Sequence, residues 1–446
     1  MKKKALSLVV AAGFAAGTAW GADLVSVYRD AVAYDAQFAA ARASLEAGRE
    51  KLPQGRAGLL PTVGLSANTN WNKYDYHRRS DPAVDAAYKY NTNAWSVSLS
   101  QPLFRWQNWV GYNQAEISVA QAEAQFGIAR QDLMVRVAQA YFDVLLAQEA
   151  LATTKAQKVA IAEQLESAKR NFEVGTATIT DTHEAQARHD LAEAQELAAE
   201  NDLLVKRQTL RAIIGKEEAG LKNLRSGAVI AAPQPADINK WVESAESANL
   251  TVQTAQLGLE MATKEVEKQR AGHYPTLDVV ASRGRNSQTS GYNVFANAGT
   301  PGSDTSSNSI GLQLSIPIFS GGATVSKDRE AVALREKSLA DLENARRTAA
   351  LQARQAYLGV TSGLSQVRAY EAALTSSKSA LESNKLGYEV GVRINIDVLN
   401  AQSQLYDTRQ KLAKARLDTL IAQLKLKASA GSLSEDDLAA INALLE

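Results

Sequence analysis

The chain has 446 residues, with 49 lysines and arginines against 48 aspartates and glutamates, and it has no cysteine. A chain without cysteine cannot be a disulfide-stapled small domain, hold a thiolate metal site or use a thiol nucleophile. The near balance of charge argues against a nucleic-acid binder, which needs a basic excess or a basic face. Because prolines are few and no Pro/Gly/Ser-rich linker occurs, an elongated body fits the length better than a string of separate globules.

The first 21 residues have the three-part layout of a cleaved secretory signal. A lysine-rich start precedes an apolar stretch from Ala5 to Ala16, and small residues follow. Ala19 and Gly21 have the spacing that signal peptidase reads, which predicts cleavage after Gly21, with Ala22 as the alternative. No cysteine is available for a lipid anchor, and no later window of about 18 uncharged apolar residues predicts a membrane-spanning helix.

The rest of the chain repeats itself at an offset of 214 to 216 residues, which indicates a duplicated unit. The matching segments are Arg56-Ala57-Gly58 with Arg270-Ala271-Gly272, Ser100-Gln101-Pro102-Leu103-Phe104 with Ser315-Ile316-Pro317-Ile318-Phe319, Phe172-Glu173-Val174-Gly175 with Tyr388-Glu389-Val390-Gly391, and Asp181 with Asp397. Each copy has the pattern helix, strand, loop, strand, long helix, tip, helix.

These matches divide the mature chain into four parts. The first repeat covers residues 22–222 and the second covers residues 236–431. Residues 223–235 form an inter-repeat equatorial segment, and residues 432–446 are predicted to form a C-terminal equatorial helix.

Each repeat contains two segments in which apolar and polar residues alternate, as they do in strands. The predicted strands are residues 61–71, 93–104, 274–284 and 308–319. In the first of them Val63, Leu65 and Trp71 share one face, and Thr62, Ser66 and Asn68 share the other. About ten residues is the length of a tilted strand that crosses a bilayer. The polar segments 72–92 and 287–308 are predicted to be solvent loops.

Four of the six tryptophans lie at or near the ends of these strands, where an interfacial aromatic belt is expected. They are Trp71, Trp95, Trp106 and Trp109. The alternative is that they pack loops or the junctions between strand and helix.

Two long helices follow the strand pairs, at about residues 107–172 and 323–387. Neither contains proline, and in the first Leu133, Val137 and Tyr141 step by three or four, so each predicts roughly 100 Å of helix at about 1.5 Å per residue. The helices that flank them, residues 23–56, 181–213, 236–270 and 397–430, are about half that length. In the last of these an apolar row steps by seven from Val398 to Leu426, which favours a helix wedged between two neighbours.

Four amphipathic strands cannot close on themselves, and open backbone groups in hydrocarbon cost several kcal/mol each. Other copies of the chain must therefore complete a barrel. The apolar rows face lipid and the small polar rows line the inside, where a three-protomer barrel of twelve strands would leave a wet lumen.

The signal, the duplicated unit of strand pair and helical hairpin, the proline-containing strand joints and the paired tips resemble the TolC family of outer-membrane export channels. The resemblance covers essentially the whole mature chain. It implies an α/β membrane protein that forms a homotrimer. A 12-stranded transmembrane β-barrel, with four strands from each protomer, faces outer-membrane lipid and is continuous with a long α-helical coiled-coil barrel that extends as a tunnel into the periplasm. The partners it implies are a periplasmic adaptor (membrane fusion) protein and an inner-membrane RND or ABC transporter. The implied function is an exit duct for efflux or type I protein secretion, without cofactor or nucleic acid.

The resemblance also implies a gate at the periplasmic tips, opened by an iris-like movement of the tip helices. Asp181 and Tyr388 match one linked pair of the family, and Thr180 and Arg393 match the other. Asp397 matches an acidic pore constriction, whose converging carboxylates would select cations and capture a divalent ion. The family often has a second acid one turn later. This chain has Asn400 at that position, which predicts a weaker acidic ring at the constriction.

Simpler roles exist for the same residues. A carboxylate at Asp181 or Asp397 is favoured at a helix start by capping and by the helix dipole. Gly175 and Gly391 supply positive φ at the hairpin tips. By resemblance these tips, formed by Val174, Gly175, Thr176, Val390, Gly391 and Val392, dock the adaptor, whereas Arg393 taken alone is an ordinary surface charge.

No enzyme is expected, because no nucleophile elbow, P-loop or dinucleotide-binding glycine pattern occurs. The four histidines have no metal spacing, since His183 and His189 are six residues apart and lie on different helix faces. Two other classes remain open. One is an exported, barrel-anchored trimeric stalk with a structural or adhesive role, and the other is a soluble periplasmic helical scaffold.

Overall fold

A computed structural model describes residues 22–446 apart from 78, 80–85, 218, 219, 226 and 294–297. The predicted signal peptide lies outside the described residues. The helices are α1 Leu24–Tyr34, α2 Ala36–Arg49, α3 Lys51–Ala57, α4 Trp106–Glu173, α5 Ile179–Ile214, α6 Ile238–Ala248, α7 Leu250–Arg270, α8 Ala323–Glu389, α9 Asn395–Ser429 and α10 Glu435–Asn442, with a 3₁₀ turn at Ala271–His273. The strands are β1 Thr62–Tyr76, β2 Ala86–Phe104, β3 Thr276–Asn293 and β4 Ala298–Ser315. The same order of elements therefore occurs twice.

The chain divides into two compact units. The sheet unit consists of Ala43–Phe126 and Thr251–Ala345. The helical unit consists of the described residues up to Arg42 together with those of Gly127–Leu250 and Arg346–Glu446.

The sheet unit is built on one antiparallel sheet with the strand order β1-β2-β3-β4. Its two hairpins are internally similar: Ser66 pairs with Ser96, Ser282 pairs with Ser309, and in both pairs the hydroxyl oxygens are 2.8 Å apart. Large apolar side chains alternate with this polar row and are exposed, among them Leu65 and Leu312. The predicted separation of an apolar and a polar sheet face is confirmed.

The strands are longer than the sequence predicts, so the prediction of loops at 72–92 and 287–308 is partly wrong. Register continues to the pairs Tyr76–Ala86 and Asn293–Ala298. The polar composition of these segments suggested loops. Ring contacts between strands, such as that of Tyr74 with Tyr88, whose ring centroids are 5.1 Å apart, give the strand ends side-chain packing that composition does not reveal.

At its C-terminal end, β4 stops earlier than predicted. Its last residue is Ser315, whereas the sequence predicted a strand to residue 319. Pro317 cannot donate a ladder hydrogen bond, which explains the early end. The equivalent Pro102 is accommodated in β2 by a register shift between Pro102 and Phe104.

The four tryptophans assigned to strand ends, Trp71, Trp95, Trp106 and Trp109, are all exposed. The interfacial belt stays a prediction, and packing of loops or of the junctions between strand and helix stays its alternative.

The helical unit has its core where the helical periodicity predicts it. Leu133, Val137 and Tyr141 on α4 are fully buried, as are Leu24 and Val27 on α1. The seven-residue row on α9 is confirmed as an inward stripe, because Val398, Leu412, Thr419 and Leu426 are buried. Such a stripe fixes α9 between neighbouring helices.

One ion pair fastens the break between α1 and α2 to α4. Asp35 accepts from the backbone N–H of Phe38 at 2.7 Å and so caps α2. Both oxygens of its carboxylate also accept from the guanidinium of Arg136, each at 3.1 Å. The hydrogen bond from Arg136 is the main cause of the lowered pKa of Asp35.

Short backbone bridges join residues 221–224 to Ala22 and to the C-terminal residues. Ala22 pairs with Leu221, and Leu224 pairs with Leu445. The hydroxyl of Tyr141 donates to the carbonyl of Lys222 at 2.8 Å. Burial is the largest cause of the raised pKa of Tyr141. The segment predicted to be equatorial therefore has ordered contacts with the C-terminus.

Candidate functional site

The two helical hairpins end in tips that have nearly the same backbone. Gly175 between α4 and α5 has a φ of 79°, and Gly391 between α8 and α9 has a φ of 76°. In both tips one carbonyl, of Asn171 or of Gly387, accepts from two amides of the turn at 2.8–3.1 Å. The prediction that these glycines supply the left-handed residue is confirmed.

The first tip is closed by a capping box at the start of α5. The backbone N–H of Thr178 donates to the Asp181 carboxylate at 3.0 Å, and the N–H of Asp181 donates back to the Thr178 hydroxyl at 3.3 Å. The Thr178 hydroxyl also donates to Asp181 at 2.8 Å. The simpler role foreseen for Asp181, helix capping, is therefore present.

The second tip has no such box, because Ile394 occupies the position of Thr178 and carries no polar side chain. The carboxylate of Asp397 lies instead 3.6 Å from the guanidinium of Arg393. Gly387 leaves room for Arg393, since a Cβ on Gly387 would lie 2.7 Å from the Arg393 Cγ. Asp397 therefore does not take part in a capping box as Asp181 does, and its role at a pore constriction stays a prediction.

Near the tips, three hydrogen bonds between described side chains join the second hairpin to the first. The Asn171 side chain donates to the Tyr388 hydroxyl at 2.9 Å. Gln164 donates to the side-chain oxygen of Asn395. Arg188 donates to the side-chain oxygen of Asn400 at 3.2 Å.

Asn395 is the most buried member of this set. Its side chain is only 2% exposed, and its amide donates to the backbone carbonyl of Asp181 at 3.5 Å. Four residues further along α9, Leu399 enters a buried cluster with Ile161 and Leu165 of α4 and Ala185 of α5. The start of α9 is therefore held against the first hairpin by a buried polar bridge above an apolar contact.

The four predicted gate residues come to the same end of the helical unit, but within one chain they have other partners. Among the described residues, Asp181 shares no hydrogen bond with Tyr388, and Thr180 shares none with Arg393; Thr180 is an exposed residue in the first turn of α5. Sequence reasoning missed Asn171, Gln164, Arg188 and Asn395. Only Asn395 carries a sequence signal, as a polar residue in phase with the apolar stripe of α9.

The predicted docking tips are open to solvent. Val174, Val390 and Val392 are 72%, 65% and 79% exposed, and Thr176 and both tip glycines are exposed as well. Three exposed valines at the ends of two hairpins form an apolar surface, which we name the tip surface.

No group of three histidines, cysteines, aspartates or glutamates in the part of the chain that the structure describes is placed to hold a metal ion. Within the same residues, no helix combines the length and the apolar character that crossing a membrane requires.

A sheet with one apolar and one polar face, joined in duplicate to long helical hairpins, defines the class of outer-membrane channels. A family model described as outer membrane efflux protein matches residues 27–216 and 241–432. The chain belongs to this family. It is an outer-membrane protein and an exit duct of the kind that serves efflux and type I secretion, and its family is one of channel and transport proteins.

Individual proteins agree with the family match. Outer membrane protein TolC of Vibrio cholerae serotype O1 is 34% identical over 448 residues, which cover 100% of this chain and 99% of that protein. Alkaline protease secretion protein AprF of Pseudomonas aeruginosa is 34% identical over 94% of this chain and 86% of that protein. The crystal structure of the Campylobacter jejuni CmeC outer membrane channel shares the fold, with a TM-score of 0.77 at 16% identity over 95% of this chain and 90% of that chain.

Proposed function

We propose that three copies of this chain form one channel-tunnel, with a 12-stranded barrel in the outer membrane. The observation that carries the proposal is the sheet of four antiparallel strands with β1 and β4 at its edges. Because β1 and β4 run in opposite directions, β1 of the next copy can pair antiparallel with β4. An even-stranded antiparallel barrel then closes without an open edge.

The side chains on the polar face suit a water-filled lumen. The two hydroxyl pairs Ser66–Ser96 and Ser282–Ser309 lie there, with small neighbours such as Gly64. Side chains of this size leave the interior of a 12-stranded barrel open. The proposed lumen is polar and does not select a cargo by charge.

The proposed gate lies at the hairpin tips, and the hairpin of α8 and α9 is its moving part. This hairpin lacks a capping box and is joined to the first by Asn171–Tyr388, Gln164–Asn395 and Arg188–Asn400. In the trimer, Thr180, Asp181, Tyr388 and Arg393 are proposed to add the links that resemblance implies. Asp397 of each copy forms the constriction, with Asn400 weakening its charge.

The proposed partners follow from the exposed tips and from the relatives. The tip surface is apolar and solvent-exposed, which suits docking of a periplasmic adaptor. Relatives include proteins named for protease secretion and for efflux. An inner-membrane transporter of the RND or ABC class completes the proposed conduit and chooses the cargo.

Single-channel recording in planar bilayers tests this proposal. Purified protein should insert as trimers with uniform conductance steps, and Tyr388→Phe with Arg393→Ser should increase each step. Regular steps that the double substitution leaves unchanged would remove the gate from these residues. A trimer that gives no regular steps would favour the alternative, a barrel-anchored structural or adhesive stalk.

A further inference from the structure

The outer end of the first hairpin carries two lysines directly opposite each other. Lys73 of β1 pairs in register with Lys89 of β2, so both side chains lie on the same sheet face. Like charges in this position repel and destabilise a strand pair. An anion between them would relieve the repulsion.

This face is the one that the proposed function turns toward lipid. Alternation along β1 puts Val63, Leu65, Trp71 and Lys73 on one side of the sheet. With 15 residues, β1 exceeds the roughly ten needed to cross a bilayer, so its last residues project beyond the hydrocarbon. Trp71, 79% exposed, then lies at the interface, and the lysine pair lies one step further out, at the level of the lipid head groups.

The lysine pair borders an open depression of about 360 Å³. Trp71 and its register partner Asn91 line the depression together with the lysines, and Thr289 of β3 borders it. The hydroxyl oxygen of Thr289 accepts from the backbone N–H of Asn91 at 2.9 Å, which fixes that border. The depression therefore combines two cations, an exposed indole face and polar side chains.

The charges of the depression do not cancel within the described residues. Lys73 forms an ion pair with Asp75 at 2.8 Å, both on the same face of β1. Lys89 forms no ion pair with any described residue. The charge of Lys89 is therefore not balanced by any described acid. The charge of Lys73 is balanced by Asp75, and a stronger anion can share Lys73 with that carboxylate.

We propose that this depression binds the phosphorylated sugar head group of an outer-leaflet glycolipid. The lysines contact the phosphate, the face of the Trp71 indole packs against the sugar ring, and the Asn91 side chain hydrogen-bonds to sugar hydroxyls. The acyl chains of the same lipid continue along the apolar row that includes Leu65 and Val63. The inference rests on the proposed placement of the sheet in the outer membrane.

Native mass spectrometry of the full-length trimer in detergent, titrated with lipid A, tests the assignment. Lys73→Gln combined with Lys89→Gln should weaken lipid A binding on the order of tenfold, and the loss should shrink at high salt. The control Lys337→Gln removes an exposed lysine of α8, paired with Asp341, and should bind lipid A as the wild type does. Trp71→Leu should lower the preference for lipid A over phosphatidylglycerol, which has a phosphate but no sugar.

Three results would overturn the inference: a double variant that binds lipid A as tightly as the wild type, phosphatidylglycerol that binds equally well, or inorganic phosphate that displaces lipid A at equal concentration. Channel conductance of the same samples separates this inference from the proposed function. If the double variant conducts normally and still binds lipid A fully, the site is wrong and the channel stands. If the wild type gives no channels, the placement of the sheet in the membrane fails as well.

Discussion

The side-chain amide of Asn171 donates to the hydroxyl of Tyr388 at 2.9 Å, which joins the last turn of α4 to the last turn of α8. Tyr388 corresponds in the first repeat to Phe172, the neighbour of Asn171 in sequence. Because phenylalanine has no hydroxyl, only the second copy of this position can accept the hydrogen bond that links the two tips.

This bond gives the first prediction. Asn171→Ala and Tyr388→Phe should each raise the mean single-channel conductance, because each removes a bond that holds the closed tip, at about 1 kcal/mol. The double variant should add little to either single change, since both remove one interaction. Additive increases would show that the two side chains act separately in the working channel.

A second prediction separates the two acids of the tips. Asp397→Asn should abolish block of the channel by divalent or trivalent cations, because the carboxylate at the constriction is lost. Asp181→Asn should keep the block and lower the stability of the start of α5, by about 1 kcal/mol, because it weakens the capping box with Thr178. Block titrations and thermal unfolding of both variants provide the comparison. If Asp181→Asn abolished the block and Asp397→Asn did not, the constriction would lie on α5.

A third prediction concerns the buried bridge at Asn395. Asn395→Leu should destabilise the closed tip by roughly 1–3 kcal/mol, because the partly buried Gln164 amide loses its acceptor, the buried side chain of Asn395. Conductance should rise accordingly. Adding Gln164→Leu should restore part of the closed state, because both polar partners are then replaced by apolar ones. Gln366→Leu, on the exposed face of α8, is a control that should leave conductance unchanged.

A fourth prediction follows from the ion pair between Asp35 and Arg136. The pKa of Asp35 lies below its ordinary value, mainly because of the hydrogen bond from Arg136, so the folded state binds this proton less readily than the unfolded state. The resulting stability is present above the unfolded pKa of about 3.9 and is lost as the pH falls through the folded pKa.

Arg136→Gln should therefore lower the melting temperature at pH 6, with a loss of roughly 3 kcal/mol, and the gap to the wild type should narrow toward pH 3. Circular dichroism melts of the detergent-solubilised protein give the measurement. Arg49→Gln breaks an exposed pair with Glu46 and should have little effect at any pH. A gap for Arg136→Gln that stays constant from pH 6 to pH 3 would contradict the linkage.

Periodicity and duplication predicted the elements of this fold well, because long helices and alternating strands leave strong patterns. The helix predicted at 107–172 is α4, Trp106–Glu173, and the buried row at Leu133, Val137 and Tyr141 lies where the spacing put it. The strand ends at Tyr76 and Ala86 were missed because their stability comes from cross-strand ring contacts, which composition does not report.

The candidate gate was only partly accessible from the sequence. The resemblance named four gate residues that the structure brings to one end of the hairpins, and the capping role of Asp181 followed from its place after a tight turn. The bonds of Tyr388 with Asn171 and of Asn395 with Gln164 span more than 200 residues of sequence. Such pairs depend on how the two hairpins pack, and no local pattern specifies them.

The absent cap on α9 also makes the protection of its first backbone amides depend on the neighbouring hairpin. With Ile394 in the place of Thr178, the opening turn of α9 has no side-chain acceptor at its N-cap, and the Asn395 bridge and the Leu399 contact hold it instead. Breaking the bridge with Asn395→Leu should therefore raise deuterium uptake at Ile396 and Asp397 more than at Thr180 and Asp181. The two copies of the duplicated unit thus secure the same helix start differently, the first by a local cap and the second by contact with its neighbour.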